Sequence, residues 1–368
     1  MRGRRVGLLA HHASFTADLR FAVEALQSAG ANVVRLLGPE HGLWGAAQDM
    51  IPVDGGVDRW TGLPVVSLYG HDQLSLRPDP MVLDGLDVLV CDLQDVGARY
   101  YTYAATAAMT CEVAAEIGLE VLVCDRPNPI GGAIEGNTVQ PELFSFVGQY
   151  PAPQRHGLTI AELVRTYTGG LGTPIPMEGY RRGMWFDETG LPWIPPSPNM
   201  PTLGAATVYP GMCKLEGCTL SEGRGSTTPF ELFGAPWIDP FRLAGALRDS
   251  GLEGVAFRPH VFEPTFQKHA REACGGVQII VTQREALRPV RLGIEILCTL
   301  QRLWPEKLAW RTEVYEFEHN RLAIDLLLGV AGRREALEAG ASVDELTADF
   351  AQYEAAWREQ SQPWRLYD

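Results

Sequence analysis

The sequence lacks the local patterns that mark several classes of protein. No apolar run approaches the roughly 20 residues that a membrane-spanning helix needs, so no membrane span is expected. No cluster of Lys and Arg is present, and the net charge of −14 disfavours binding to nucleic acid. The patterns GxGxxG, GxxxxGKS/T, HExxH and GxSxG are all absent. We therefore expect no cofactor and no metal, and a nucleotide-dependent enzyme or a serine hydrolase is disfavoured.

Disulfides and an export signal are also not indicated. The seven cysteines form no CxxC pair, and Cys91 and Cys124 lie in apolar runs, where a thiol behaves as a small hydrophobic group. Reduced, structural cysteines are the simplest interpretation. The basic residues 1–5 precede an apolar run that is too short for a signal peptide and is interrupted by His11 and His12. The sequence therefore predicts a cytoplasmic protein.

The first half of the sequence alternates predicted strands with predicted helices. Short runs rich in Val, Leu and Ile indicate buried strands at residues 6–10, 32–37, 64–68, 88–91 and 120–124. Helices are predicted at 17–29, 102–117 and 159–168. Thr16 is the expected N-cap of the first, and Thr159 and Glu162 have the spacing of a capping box. This alternation is typical of a parallel sheet with helices on both faces, an α/β fold.

The second half is more mixed and follows a proline-rich segment. Four prolines in residues 193–202 exclude a helix or a central strand there. Because 368 residues are too many for one typical core, we place a domain boundary in this segment, which could also line a cleft between domains. Beyond it the patterns predict a strand at 276–282 and helices at 289–303 and 342–359, the last opened by a second capping box.

Polar side chains follow three of the predicted strands. The carboxyl ends of parallel strands share one edge of a sheet, and ligands bind at that edge. After residues 32–37, Glu40 and His41 stand in a tight Gly-Pro-Glu-His-Gly turn. A carboxyl group held there and partly shielded from water is a candidate general acid, and His41 would tune it or bind substrate. The alternative is a loop carboxylate in a salt bridge.

Further candidate site residues follow two other predicted strands of the first half, and three more lie in the second half. They are Asp92, Gln94, Asp95, Arg99, Tyr101, Tyr103, Arg126, Asn128, Glu216, Glu222 and Arg224. Arginine forks suit carboxylates, and tyrosines offer stacking faces and hydroxyls, so the set points to a polar, sugar-like substrate. The alternatives are packing at a helix start for the tyrosines, a helix N-terminal charge for Asp95, and a structural turn at residues 125–129.

Over most of its length the chain resembles the NamZ-type exo-β-N-acetylmuramidases, also called DUF1343. The resemblance lies in residues 38–42, 92–103, 125–132, 145–148, 156–157, 195–201, 209–211, 221–225 and 229–231. Two places depart from the family's pattern. His11-His12-Ala13-Ser14 stands where an Asn-containing turn is usual, and Trp44 stands where an Arg is common. We expect both near the mouth of the cleft, where they would affect substrate preference.

The resemblance implies a Rossmann-like domain at residues 1–199 and a smaller mixed α/β domain at 200–368, with the active cleft between them. It implies release of N-acetylmuramic acid from the non-reducing end of peptidoglycan fragments, such as a muropeptide or MurNAc-GlcNAc, with Glu40 as the acid. Asp92 or Asp95, or the substrate's own N-acetyl group, would assist. Arg99, Arg126 and Arg224 would meet the lactyl carboxylate, and Asn199 would contact substrate. The alternative is a non-catalytic binder of muropeptides or other acidic sugars.

Overall fold

A computed structural model describes residues 2–48, 51–70 and 73–368. The first half contains seven strands: β1 (Arg5–Ala10), β2 (Asn32–Gly38), β3 (Gly56–Val57), β4 (Pro64–Ser67), β5 (Val88–Asp92), β6 (Val121–Cys124) and β7 (Thr173–Ile175). Its helices are α1 (Ala22–Ser28), α2 (Tyr103–Glu116) and α3 (Ile160–Thr168). β1 and β5 are almost wholly buried, as continuous apolar runs require when both faces of a sheet are covered.

The seven strands form one sheet in the order β3-β4-β2-β1-β5-β6-β7. All neighbours are parallel except β3 and β4, which are antiparallel. The strand order reverses between β1 and β5, the place where open α/β sheets usually bind ligands. Here the loops after these strands bond to each other, because Ser14 Oγ donates to Asp92 O and Gln94 N donates to His11 Nε2 at 2.9 Å.

The second half builds a smaller antiparallel sheet and a group of helices. Strands β8 (Leu232–Ala235), β9 (Val255–Phe262) and β10 (Cys274–Val281) pair in the order β8-β10-β9. The helices are α4 (Leu203–Met212), α5 (Pro240–Arg248), α6 (Pro289–Leu303), α7 (Ala323–Leu328), α8 (Arg333–Glu338), α9 (Val343–Leu346) and α10 (Phe350–Ser361). The predicted fold class, a Rossmann-like sheet with a smaller mixed α/β part, is confirmed.

Close packing of α4 on α6 organises the second half. A Cβ atom on Gly211 would lie 1.8 Å from the carbonyl oxygen of Pro289, and one on Gly293 would lie 2.2 Å from the carbonyl oxygen of Gly211. Both positions therefore need glycine for the two helices to approach each other. The largest buried cluster continues across both halves of the chain, so the halves share apolar packing and are not joined only by a linker.

Two predicted helices differ from those observed. α1 begins at Ala22 and not at residue 17, because the Thr16 hydroxyl donates to Asp18 and holds a turn before the helix. The single helix predicted at 342–359 is two helices, with the Ser342 capping box opening the short α9 and a break before α10. Across the described ranges, no helix has the length and apolar character that crossing a membrane requires.

Candidate active site

A pocket lies where the carboxyl end of β2, the start of α2 and the second half of the chain meet. It has about 520 Å³ of empty space, part of which is open to solvent, and we call it the central pocket. It is lined by Glu40, His41, Tyr100, Tyr101, Thr102, Tyr103, Val147, Ser197, Asn199, Met200, Tyr209, Glu216, Arg224, Phe230, Tyr315 and Glu316. Its walls thus come from both halves of the chain and from the proline-rich segment. Carboxylates, hydroxyls, aromatic faces and one guanidinium group suit a small polar ligand.

Glu40 is held at the end of β2 by its local turn and by α2. A Cβ on Gly38 would lie 2.9 Å from Leu43 N, so glycine is needed for the sharp turn. The Glu40 side chain is buried, and its Oε2 accepts a hydrogen bond of 2.8 Å from Thr102 Oγ1. The Tyr103 hydroxyl lies 3.0 Å from the carbonyl oxygen of Pro196 and 3.3 Å from that of Glu40, so both are within reach of its proton. The carboxyl group is therefore fixed in direction while it faces the pocket.

His41 stands beside Glu40 in a left-handed backbone conformation, with φ of 66°. Its Nε2 lies 4.0 Å from Glu40 Oε1, and its Nδ1 lies 3.0 Å from the carbonyl oxygen of Ala47. Non-glycine residues in this conformation carry local strain, which often occurs at functional sites. Phe230 and Glu316 also have positive φ, of 65° and 47°, so three strained residues line the central pocket.

Tyr101 contributes a protonated hydroxyl to the pocket. Burial, with a further contribution from the charges of Asp95 and Glu40, raises the pKa of Tyr101 well above its usual value. The hydroxyl lies beside Ser197 but has no hydrogen-bond partner of good geometry. A buried hydroxyl without a partner is costly, so a ligand oxygen that accepts from Tyr101 would relieve that cost.

Arg224 faces the pocket from the second half as part of a buried ionic cluster. Its NH1 lies 2.9 Å from Glu216 Oε1 and 3.0 Å from Glu222 Oε1, and Lys268 Nζ lies 2.9 Å from Glu222 Oε2. Burial alone would raise the pKa of Glu222, but Lys268 and Arg224 lower it below its usual value. Glu216 and Arg224 line the pocket and were both predicted. Glu222 was also predicted, but it is not in the described lining of the pocket, and its carboxylate contacts the lining residue Arg224.

Glu316 is a pocket residue that the sequence did not reveal. Its carboxylate Oε2 accepts a hydrogen bond of 2.9 Å from the Tyr69 hydroxyl, which comes from the sheet domain. Glu316 lies in a polar, acidic stretch that follows no predicted strand and contains no glycine-rich turn. Only the packing of the two halves brings it near Glu40, so no local signal in the sequence could have identified it.

Asp92 and Arg126 were predicted in the cleft, but the structure pairs them with each other. Arg126 Nε lies 2.6 Å from Asp92 Oδ1, and Arg126 NH2 lies 2.9 Å from Asp92 Oδ2. This bidentate pair lies by the loops after β1 and β5, and neither residue is among those that line the central pocket in the described chain. The physical reason is that each is the best partner for the other at adjacent strand ends.

Asp95 is likewise turned into the protein. Its Oδ2 accepts from Gly97 N at 2.6 Å and lies 3.1 Å from His156 Nε2, while Oδ1 is buried without a partner. Asp95 thus lies behind Tyr101 and does not line the central pocket that the described residues form. We expected it to face the substrate. In the structure it instead bonds to Gly97 and His156 and so holds the loop after β5.

Arg99, Gln94 and Asn128 also bond to the protein's own backbone. Arg99 donates to the carbonyl oxygens of Asn137, Ala152 and Leu327, at 2.9, 3.1 and 3.0 Å. Gln94 Nε2 donates to Asp95 O and Pro127 O, and Asn128 Nδ2 donates to Leu158 O. These buried contacts join loops to one another. Of the three arginines predicted to meet substrate, the structure brings only Arg224 to the described lining of the pocket.

Two places depart from the family's pattern, residues 11–14 and Trp44, and they lie in different surroundings. His11 is fully buried, with Nδ1 3.3 Å from Pro196 O, so its placement at the cleft mouth was wrong. Burial, followed by the charge of His12, holds the pKa of His11 well below its usual value. Trp44 is half-buried near His41, beside a second depression. Asn199, which lines the central pocket, donates to Gln48 Oε1 at 2.9 Å.

These features define an α/β protein with a polar pocket for a small-molecule substrate between a parallel sheet and a smaller antiparallel one. Models of the N-terminal and C-terminal parts of exo-β-N-acetylmuramidase NamZ match residues 6–204 and 207–367. The chain is 41% identical over 353 residues to the peptidoglycan β-N-acetylmuramidase NamZ of Bacillus subtilis (strain 168), covering 94% of this chain and 83% of that protein.

Two solved structures of DUF1343 family proteins from Bacteroides fragilis NCTC 9343 are also similar. One has a TM-score of 0.89 at 34% identity, covering 100% of this chain and 95% of the other. The second has a TM-score of 0.76 at 27% identity, covering 100% and 94%. The chain therefore belongs to the NamZ family, also known as DUF1343, as its motifs predicted.

Proposed function

We propose that the protein is an exo-β-N-acetylmuramidase, a glycosidase that releases N-acetylmuramic acid from the non-reducing end of peptidoglycan fragments. The observation that carries the proposal is the placement of Glu40. Its buried carboxyl group is aimed by Thr102 into a polar pocket, in a chain that is 41% identical to a peptidoglycan β-N-acetylmuramidase. Glycoside cleavage needs a proton donor for the leaving oxygen, and Glu40 takes that role.

The pocket supplies two candidates for the second group of the reaction. Glycosidases stabilise an oxocarbenium-like transition state with a second carboxylate or with the substrate's own N-acetyl group. Glu216 and Glu316 share the pocket with Glu40, whereas Asp92 and Asp95 are engaged elsewhere. Glu216 is bound by Arg224 and by the Tyr315 hydroxyl at 2.8 Å. Glu316 accepts a hydrogen bond from Tyr69, which orients its carboxylate, and we choose it as the second carboxylate to test.

Arg224 is the proposed contact for the lactyl carboxylate of muramic acid. It is the one guanidinium group among the pocket-lining residues that the structure describes. A carboxylate ligand would add to the network that already joins Arg224 to Glu216 and Glu222, and Lys268 supplies a second positive charge behind it. Tyr101 lines the same pocket, and its hydroxyl would donate a hydrogen bond to a sugar oxygen or to the acetamido carbonyl.

The test is to incubate the protein with MurNAc-GlcNAc and measure free MurNAc by chromatography. The reversed disaccharide, GlcNAc-MurNAc, is the control, because it has no muramic acid at its non-reducing end. Release from the first substrate only is the expected result. Tight binding of MurNAc-GlcNAc without turnover would support the alternative, a non-catalytic binder of acidic sugars. The cytoplasmic location remains a prediction from the sequence; it would direct the enzyme to imported fragments.

A further inference from the structure

A second depression opens next to the central pocket, and we call it the side groove. It is lined by His41, Gly42, Leu43, Trp44, Ala46, Ala47, Pro52, Val53, Asp54, Gly55, Gly56, Val57, Asp58 and Val65, and it encloses about 910 Å³ including space open to solvent. These residues belong to the loop after β2, to β3 and to the start of β4. The volume is sufficient for one or two sugar rings.

His41 joins the two depressions, because it lines both. Glu40, the proposed acid, is the preceding residue, and its Oε1 lies 4.0 Å from His41 Nε2. The oxygen that the acid protonates lies between the departing sugar and the sugar that is released. A sugar on the far side of His41 from the central pocket would therefore be connected through an oxygen within reach of Glu40.

The wall of the side groove carries an aromatic surface that is held in place. Trp44 Nε1 donates to Asp58 Oδ1 at 2.7 Å. The Trp44 ring contacts Phe21 and, in a T-shaped arrangement, Trp60, with centroids 5.1 and 5.2 Å away. Asp58 also accepts from Thr61 N at 2.6 Å and from Thr61 Oγ1 at 2.7 Å. Burial opposes ionisation of Asp58, but these hydrogen bonds lower its pKa below the usual value. The Trp44 ring is thus preorganised, as binding surfaces for rigid ligands require.

The charges of the side groove select between the two sugars of peptidoglycan. Its lining contains the carboxylates of Asp54 and Asp58 and, among the described residues, neither Lys nor Arg. Muramic acid carries a lactyl carboxylate that such a surface would repel. N-acetylglucosamine is uncharged, so the two carboxylates do not repel it.

We propose that the side groove binds the uncharged sugar on the leaving side of the scissile bond, with Trp44 as its stacking platform. This proposal rests on the proposed function, since it assigns the second subsite of the same reaction. It makes the enzyme more efficient on MurNAc-GlcNAc than on a muramide whose leaving group is too small to reach the groove.

The experiment compares kcat/KM for MurNAc-GlcNAc with that for methyl β-N-acetylmuramide. Both leaving groups are simple alcohols, so the ratio of the two values reports contacts with the second sugar more than leaving-group chemistry. In Trp44→Ala this ratio should fall about tenfold, which is the effect expected from losing roughly one aromatic contact. Val57→Arg should lower the ratio as well, because Val57 is exposed in the groove and the longer side chain would fill it. Phe241→Ala, at an exposed position on α5, is the control and should leave the ratio unchanged.

The outcomes separate this proposal from the proposed function. A wild-type enzyme that releases MurNAc from both substrates, with an unchanged ratio in both groove variants, would overturn the groove assignment alone. Val57→Arg keeps the test valid if Trp44→Ala does not fold, because Val57 packs little against its surroundings. Release from neither substrate would refute the proposed function and the groove assignment with it.

Discussion

Lys214 gives a sharp prediction about stability, because it is a lysine with no exposed surface. Its Nζ donates to the Pro210 carbonyl oxygen at 2.9 Å and lies 5.6 Å from the centre of the Tyr100 ring. Burial first, and then the charge of Arg99, lowers the pKa of Lys214 from 10.5 to about 7. In the unfolded chain the ammonium keeps its ordinary pKa. Folding therefore opposes protonation of this amine.

The sign of the pH effect follows from this difference. Between pH 7 and 10.5 the unfolded state binds more protons, so the free energy of unfolding rises with pH in this range. The penalty is complete below pH 7 and absent above 10.5. The fall of the Lys214 pKa from 10.5 to about 7 corresponds to a penalty of about 5 kcal/mol in total, of which about 2 kcal/mol is relieved between pH 7 and pH 9.

We expect Lys214→Met to be more stable than the wild type at pH 7 by about 3 kcal/mol. Methionine fills a similar volume without a charge, and about 1 kcal/mol is subtracted for the lost hydrogen bond. The advantage should shrink by about 2 kcal/mol at pH 9. Urea unfolding followed by tryptophan fluorescence at both pH values measures it. A variant that is less stable at both pH values by a constant amount would refute the reasoning.

Three further predictions concern other buried groups. Burial raises the pKa of Asp125 to about 6, so its stabilisation is complete below pH 3.8 and is lost as pH rises through 6. Asp125→Asn should therefore gain about 2 kcal/mol relative to the wild type between pH 4.5 and 7.5, measured by denaturant unfolding; a constant difference would contradict this. Arg99→Lys should cost about 3 kcal/mol in the same assay, because a single ammonium nitrogen cannot replace the two guanidinium nitrogens that bond the three carbonyl oxygens; an unchanged midpoint would show that these bonds are not needed. Glu316→Gln should lower kcat on MurNAc-GlcNAc about 100-fold or more without lowering the melting temperature, and wild-type kcat would exclude Glu316 as the second carboxylate.

The sheet and the position of Glu40 could be predicted because their signals are local. The apolar runs of β1, β2 and β5 were found within one or two residues of their observed ends, since a strand buried on both faces must be apolar throughout. The turn at Gly38 follows from the lack of space for a Cβ. α6 was predicted with its observed bounds because Pro289 marks its first turn. The domain boundary at 199/200 remains a prediction.

The partners of buried charges could not be predicted from the sequence, because they depend on contacts between distant segments. A guanidinium group has the same fork whether it meets a ligand or a carbonyl oxygen, so Arg99 and Arg126 looked like substrate contacts. Arg99 instead reaches Leu327, which is 228 residues away. Glu316 was missed for the same reason, since its approach to Tyr69 spans 247 residues. The break between α9 and α10 carries no proline or glycine, which left the periodic pattern continuous.

The central claim is that Glu40 protonates the leaving oxygen of a β-muramide, and one substitution tests it most directly. Glu40→Gln keeps the size of the side chain and its contact with Thr102 but removes the acidic proton. It should lower the rate of MurNAc release from MurNAc-GlcNAc by about 100-fold or more, with an unchanged melting temperature. Glu24→Gln, at an exposed position on α1, is the matched control and should keep full activity. Near-wild-type turnover in Glu40→Gln would contradict the account.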